Sequence, residues 1–168
     1  MIDDHDDTLL VDDDELPSHA HPPAQPWLVL VVDDDLSVHT VTRMVLREFI
    51  FLGRPIELLS AFSAREGELA LRQNPDISVV LLDVVMETDD AGLRLVRTIR
   101  EALANQAVRI VLRTGQPGLA TEKQVLADYD INDYRSKADL THDRLQSCVA
   151  TALGSYPGDG HGPNRAVA

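Results

Sequence analysis

Short apolar runs that end in polar residues set the rhythm of this chain. Val79, Val80, Leu81 and Leu82 lead straight into Asp83. Leu28 to Val32 lead into Asp33, Asp34 and Asp35, while Ile110, Val111 and Leu112 lead into Arg113 and Thr114. An unbroken apolar run rich in β-branched residues predicts a strand buried on both faces, the habit of a parallel sheet covered by helices. Strands are expected at Leu28–Val32, at Ile56–Ser60, over a third run ending at Asp83, at Arg109–Arg113 and at Asp133–Ser136.

The stretches between follow the recurrence of helices. The first helix covers about Ser37 to Phe51, with Val38, Val41, Val45, Phe49 and Leu52 as its buried stripe; Gly53 and Pro55 end it. The second, about Ser63 to Gln73, opens on a capping-box pattern, Ser63 followed by Glu66. The third runs from about Ala91 to Asn105 and buries Val96, Ile99 and Leu103; the fourth fits about Thr121 to Tyr129. The fifth, about Thr141 to Leu153, buries Leu145, Cys148, Val149 and Leu153. Five strands alternating with five helices through short connections predict an α/β fold, a doubly wound parallel sheet with right-handed crossovers.

Residues 1–26 break the rhythm. They combine an acidic run with Pro17, Pro22, Pro23 and Pro26, and hold too little apolar surface to offset the entropy of ordering. A solvated tail is expected there, with Leu9, Leu10 and Val11 as its one compact apolar segment. His5, His19 and His21 lie among its acids without the spacing of a ligand set. A second disordered tail is expected over residues 155–168, rich in Gly and Pro.

Composition narrows the classes of function. The chain has 168 residues, enough for one domain, and its hydrophobic fraction of 44% with only 4% aromatics implies an aliphatic core. The net charge is −13, but residues 1–15 alone hold eight acids, which leaves 20 acids against 15 bases in the rest. No basic stripe is available to neutralise phosphates, so a nucleic-acid partner is not expected. Cys148 is the single cysteine, which excludes an internal disulfide and fits a reducing cytoplasm. No apolar run approaches the roughly 18 residues that span a bilayer, and no membrane association is expected.

The candidate chemistry lies at the strand ends. In open α/β sheets the carboxyl edge of the strands is where ligands bind. If the predicted strands are parallel neighbours, Asp33, Asp34, Asp83 and Thr114 converge there. Three carboxylates at one point repel each other unless a cation sits among them, and an oxygen-only donor set suits Mg²⁺ (or Mn²⁺). A plainer role for Asp33 to Asp35 is to cap the first helix, which Asp35 is expected to do.

These residues together resemble the receiver domain of two-component response regulators, the CheY-like family, over residues 27–154. The likeness rests on an ordered set: the acid pair Asp33–Asp34 after the first strand, Asp83 closing the third with Met86 three residues on, Thr114 followed by the small Gly115, Tyr134 on the fifth strand, and Lys137 just after it. The resemblance implies a (βα)5 fold with flavodoxin-like strand order 2-1-3-4-5. It implies Asp83 as phosphoacceptor, with Asp34 on the metal, Asp33 acting mainly through a metal-bound water, and the Val85 backbone carbonyl as a further ligand. Lys137 would pair with the phosphoryl group, Thr114 would donate to one of its oxygens, and Tyr134 would turn inward behind Thr114. That switch would change the face made by the fourth helix, fifth strand and fifth helix, which is also the candidate surface for a homodimer.

The implied partners are a histidine kinase or histidine phosphotransfer protein as donor, and a downstream protein target. Beyond accepting and releasing its own phosphoryl group, no separate enzymatic substrate is expected. Nothing after Leu153 reads as an output domain, so a stand-alone receiver is expected. The strings DVVMETDDAGLRLVR and LRTGQPG resemble receivers joined to cyclic-di-GMP turnover or kinase modules. Three departures stand out: Glu87 and Ala138 replace the family's usual prolines, and Gly92 comes one residue later than usual. Glu87 or Asp89 is therefore expected to approach the metal or repel a phosphodonor. Two other functions stay open. One is an interaction module that has abandoned phosphorylation. The other is a Mg²⁺-dependent phosphatase with an Asp nucleophile, of the haloacid-dehalogenase type, although Val85 stands where that chemistry wants a second acid.

Overall fold

The computed structural model describes residues 25–115, 128–139 and 141–159. They form a six-stranded sheet flanked by helices on both faces. In chain order the elements are β1 (Trp27–Val32), α1 (Leu36–Leu46), β2 (Ile50–Phe51), β3 (Arg54–Ala61), α2 (Ala64–Gln73), β4 (Ile77–Asp83), α3 (Ala91–Arg97), β5 (Arg109–Thr114), β6 (Asp133–Ser136) and α4 (His142–Gly154). The strands lie in the order β2-β3-β1-β4-β5-β6, all parallel except β2 against β3. Without the two-residue β2, the long strands follow the expected 2-1-3-4-5 arrangement.

Alternation along the central strands divides the core in two. Leu30, Val32, Val80, Leu82, Ile110 and Leu112 pack with Leu71, Leu95, Val96 and Ile99 of the α2–α3 side. Val29, Val31, Val79, Leu81 and Val111 pack with Val45, Leu46, Leu145, Cys148, Val149 and Leu153 of α1 and α4. All seven residues of β4 are buried, which is why its middle, Val79 to Leu82, is uniformly apolar.

The first helix is shorter than its spacing predicts. α1 stops at Leu46, and its buried residues are His39, Thr42, Val45 and Leu46. Val38 and Phe49 are half-buried, whereas Val41 and Leu52 are exposed. The apolar run Ile50–Phe51 forms β2 instead, pairing Ile50 with Pro55 and Phe51 with Arg54. Leu52 and Gly53 make the turn with φ of 48° and 75°. A two-residue hairpin of this kind needs positive φ at both central positions, and Gly53 supplies one without strain. The inward face of α1 is polar because partners wait for it: His39 Nε2 donates to the Asp33 carbonyl at 2.7 Å, and Thr42 Oγ1 accepts from Arg113 at 3.3 Å.

The second helix starts as expected. Ser63 Oγ accepts from the Glu66 N–H at 3.1 Å, while Glu66 reaches back one residue further, to the Phe62 N–H at 2.8 Å. The third departs from α geometry at Thr98, where a π-helical turn over Thr98–Ala102 brings Ile99 and Arg100 inward. Leu103 is only half-buried there. The buried Arg100 guanidinium donates to the carbonyls of Asn105, Val108 and Asp130, so it joins this turn to the approach to β6. Of the fourth expected helix, residues 121–127 lie outside the described residues. α4 buries Leu145, Cys148, Val149 and Leu153 as its spacing predicts. Burial and Asp133 push the Cys148 thiol up to about 11.

Packed structure continues past the expected boundary at residue 154. The Ser155 carbonyl accepts from Arg109 at 2.9 Å, and the Tyr156 ring meets Trp27 edge-on, 6.4 Å between centroids. A 3-10 turn follows at Pro157–Asp159. At the other end, the Gln25 and Pro26 carbonyls accept from Arg54, whose guanidinium lies over the Trp27 ring. The expected tails over residues 1–24 and 160–168 lie outside the described residues. No helix among the described residues is long and apolar enough to cross a membrane.

Candidate functional site

The parallel register brings the predicted acids together. β1 and β4 are hydrogen-bonded neighbours, so Asp33, just past β1, lies beside the end of β4 at Asp83. Carboxylate oxygens of Asp33, Asp34 and Asp83 all lie within 4.8 Å of one another. Asp33 and Asp83 are buried, while Asp34 is exposed and opens the cluster to solvent. Asp35 stands apart. Its Oδ1 accepts from the Ser37 N–H and hydroxyl at 2.8 and 2.7 Å, capping α1, and these bonds hold its carboxyl below the ordinary value.

Among the described residues, two cations approach this cluster. Lys137, in the short turn after β6, donates to Asp83 Oδ2 at 2.8 Å and lies 2.9 Å from Asp33 Oδ2. Burial pushes Lys137 down, but its bonds to Asp83 and Asp33 outweigh that and hold it above its ordinary value. Burial raises the Asp83 carboxyl, against the bond from Lys137 and a backbone N–H donated by Val85. Arg113 is the second cation. It pairs in register with Asp83 across β4 and β5, is 3% exposed, and puts Nη2 3.8 Å from Asp33 Oδ2.

The remaining predicted residues sit around this centre. Thr114 closes β5, buried, opposite Ser136 in the β6 register. Tyr134 pairs with Leu112 two residues earlier, so it shares a sheet face with Thr114, half-buried against the α2–α3 side of the core. Gly92 explains how α3 meets the site. Its N–H donates to the Val84 carbonyl at 3.0 Å, and a Cβ there would collide with the Asp83 carbonyl oxygen.

Comparison with known proteins agrees with this architecture. No family model matches the chain. A 3′3′-cGAMP-specific phosphodiesterase 2 of Vibrio cholerae serotype O1 is 48% identical over 132 residues, covering 79% of this chain and 25% of the relative. The chain thus spans about a quarter of the curated relative it matches. Among solved structures, the signal receiver domain of a Luxo repressor protein from Vibrio parahaemolyticus matches with a TM-score of 0.64 at 17% identity, covering 77% of this chain and 91% of that one. A CheY-like receiver domain protein from Methanospirillum hungatei JF-1 matches with a TM-score of 0.62 at 22% identity, covering 77% and 94%. A two-component response regulator with a GGDEF domain matches at 0.64 and 29% identity, covering 77% and 49%. The fold is that of a response-regulator receiver domain.

Within this receiver domain the departures noted in the sequence find local explanations. Glu87 does not reach the acids; its Oε1 accepts from the Ala64 N–H at 2.8 Å, at the start of α2. Asp89 is exposed and does not join the acid group either. The loop between is braced by Thr88 donating to Asp90 at 2.9 Å and Arg94 donating to Thr88 at 2.6 Å. No cis peptide bond occurs among the described residues, so Lys137 enters Ala138 through a trans bond.

Sequence reasoning missed Arg113, His39 and Thr42 beside the acid group. A signal existed for Arg113: alternation from Val111 turns it toward the same covered face. For His39 and Thr42 none did, because a buried polar pair on a helix reads as an outer face until its partners are known.

Proposed function

We propose that Asp83 accepts a phosphoryl group and that this modification is the signal the domain carries. The observation that supports the reading is Lys137 bridging two buried acids, Asp33 and Asp83, beside an exposed third, Asp34. An Asp83 carboxylate oxygen attacks phosphorus, an O–P bond forms, and the bond from phosphorus to the donor atom breaks with its electron pair staying on the donor.

Asp33, Asp34 and Asp83, with the Val85 backbone carbonyl, would hold Mg²⁺ or Mn²⁺, which supplies positive charge against the anionic donor. The donor set fits, being all oxygen and open to solvent at Asp34. Lys137 leaves the two carboxylates to pair with the phosphoryl oxygens as a compact point charge. The Thr114 hydroxyl donates to another phosphoryl oxygen, and Tyr134 turns in behind it on the same sheet face. The change is read on the side of β6 and α4 by a protein partner. A histidine kinase or a histidine phosphotransfer protein is the donor. The likeness to a 3′3′-cGAMP-specific phosphodiesterase favours cyclic-dinucleotide turnover as the activity under this switch.

Incubation with Mg²⁺ and acetyl phosphate, followed by intact mass measurement, tests this reading. One phosphoryl adduct on the wild type and none on Asp83→Asn is the expected result. No adduct on the wild type would instead favour a phosphorylation-independent interaction module.

A further inference from the structure

A groove of about 610 Å³ runs between α1 and β3. Leu46, Ile56 and Leu58 lie in it with Met44, and Arg43 and Arg47 line its α1 wall. Its floor is the margin of the core on the α1–α4 side: Leu46 is buried, whereas Ile56 and Leu58 are only half-buried. Met44 is 72% exposed. A lone apolar side chain in water needs no account, but one continuous with a half-buried apolar floor and rimmed by charge marks a contact surface.

The rim of this groove is basic. Neither Arg43 nor Arg47 forms an ion pair with another described residue, and Arg43 reaches the Ser60 hydroxyl at 3.4 Å. Glu57 is the one acid in the lining. A cationic rim over an apolar floor fits a segment whose apolar residues stand between acids. The chain carries such a segment near its N-terminus, where Leu9, Leu10 and Val11 lie between Asp6–Asp7 and Asp12–Glu15.

The chain also enters the domain beside the groove. The Gln25 and Pro26 carbonyls accept from Arg54 at the start of β3, and Trp27 pairs in register with Ile56 of the groove floor. Neighbouring strands lie about 4.8 Å apart, so the point of entry is close to the floor. Residues 12–24 reach roughly 45 Å at full extension, well beyond what the groove requires. A short tether also holds a segment at an effective concentration of about the millimolar range.

We propose that residues 6–15 dock in cis in the groove between α1 and β3, with Leu9, Leu10 and Val11 on Met44, Ile56 and Leu58 and the flanking acids on Arg43 and Arg47. The acidic tail is then an internal ligand of the domain rather than a solvated extension. A protein that meets this face of α1 has to displace it first. The inference makes no use of the phosphoacceptor reading.

Amide NMR of the full chain tests it, with wild type, Leu9→Asp/Leu10→Asp, Arg43→Asp/Arg47→Asp, and the arginine pair combined with Asp12→Arg/Asp13→Arg. In the wild type the Val11 amide is expected to relax with the domain. The leucine variant is expected to release it and to move the Met44, Ile56 and Leu58 resonances while leaving those of β4 in place. Reversing the arginines is expected to lower the docking constant, read from Val11 relaxation, by about fivefold or more, and reversing the aspartates as well to restore it to within about twofold. A Val11 amide that relaxes as a free chain in the wild type, groove resonances unmoved by the leucine variant, or arginine reversal without effect overturns the inference and leaves the groove to another protein. Should the arginine variants fail to fold, the leucine variant, altered only outside the folded domain, decides alone. Groove shifts that grow over an about tenfold rise in protein concentration overturn docking in cis, because a second copy would then fill the groove. Shifts on labelled Leu9→Asp/Leu10→Asp when unlabelled wild type is added overturn it for the same reason.

Discussion

Glu87 Oε1 accepts a hydrogen bond at 2.8 Å from the backbone N–H of Ala64, so the loop after β4 caps the helix that follows β3. A carboxylate at a helix N-terminus is favourable both as an acceptor and through the helix dipole. Replacing Glu87 by Ala is expected to cost about 1 kcal/mol, typical for loss of a cap. Because Glu87 stands outside the acid group, Mg²⁺ affinity is expected to stay within about twofold, a change well under 1.4 kcal/mol. Urea unfolding and a Mg²⁺ titration read the two effects separately. A large change in affinity with stability intact would reverse this assignment.

Asp83 gives the site a pH signature. Burial raises its folded-state carboxyl above the ordinary value of 3.8, so the folded protein binds this proton more tightly than the unfolded chain. The stability it contributes is fully present below pH 3.8 and is lost as pH rises through the higher folded value. In EDTA, Asp83→Asn is therefore expected to raise the melting temperature at neutral pH, with the gap from wild type closing as pH falls toward 3.8. Melting curves across that window decide it; a gap that widens in acid would contradict the sign.

Divalent cations should stabilise the fold through the same acids. A ligand that binds only the folded state at a hundred times its Kd adds about 2.7 kcal/mol. Mg²⁺ is expected to raise the wild-type melting temperature toward that limit, EDTA to reverse it, and Asp34→Asn to weaken the response. Equal stabilisation of the wild type and the Asp34→Asn, Asp83→Asn double variant would mean that the ion binds elsewhere.

Gly92 fixes how near α3 approaches the end of β4 at Asp83. Its absent Cβ is what allows backbone contact with Asp83 and the bond from its N–H to the Val84 carbonyl. Gly92→Ala is expected to destabilise by about 1–3 kcal/mol, as overpacking does, and to slow phosphorylation by displacing the end of β4. Chemical unfolding and adduct formation measured on the same preparation would show the two losses together.

The sheet and most of the acid centre could be read from the sequence for one reason. Strands covered on both faces, such as β4, consist of nothing but buried residues, so their ends and the acids there are sharply marked. α4 was equally plain, because Leu145, Cys148, Val149 and Leu153 recur at helical spacing and pack into the apolar core. α1 was not. His39 and Thr42 occupy its inner face because the Asp33 carbonyl and Arg113 satisfy them, and apolar Val41 is left outside. Phe49 and Leu52 carry a helical spacing past the end of α1, and only the pairing of Ile50 and Phe51 with β3 reveals a strand there. Glu87 looked like a threat to the metal because a sequence gives the distance along the chain, not the direction in which a loop side chain leaves it.

β2 has a consequence of another kind. β3 is eight residues long and borders the sheet, and beyond Pro55 its outer edge carries no strand partner among the described residues. A bare edge invites a foreign strand to add to it, the first step of aggregation. Here the hairpin covers Arg54 and Pro55, and Pro55 has no N–H to offer a newcomer. Exposed Glu57 and Ser60 make the rest of the rim polar. The two residues that spoil the helical spacing of α1 thus guard the sheet against joining its neighbours, a protection that would matter most when a cell makes the protein in quantity.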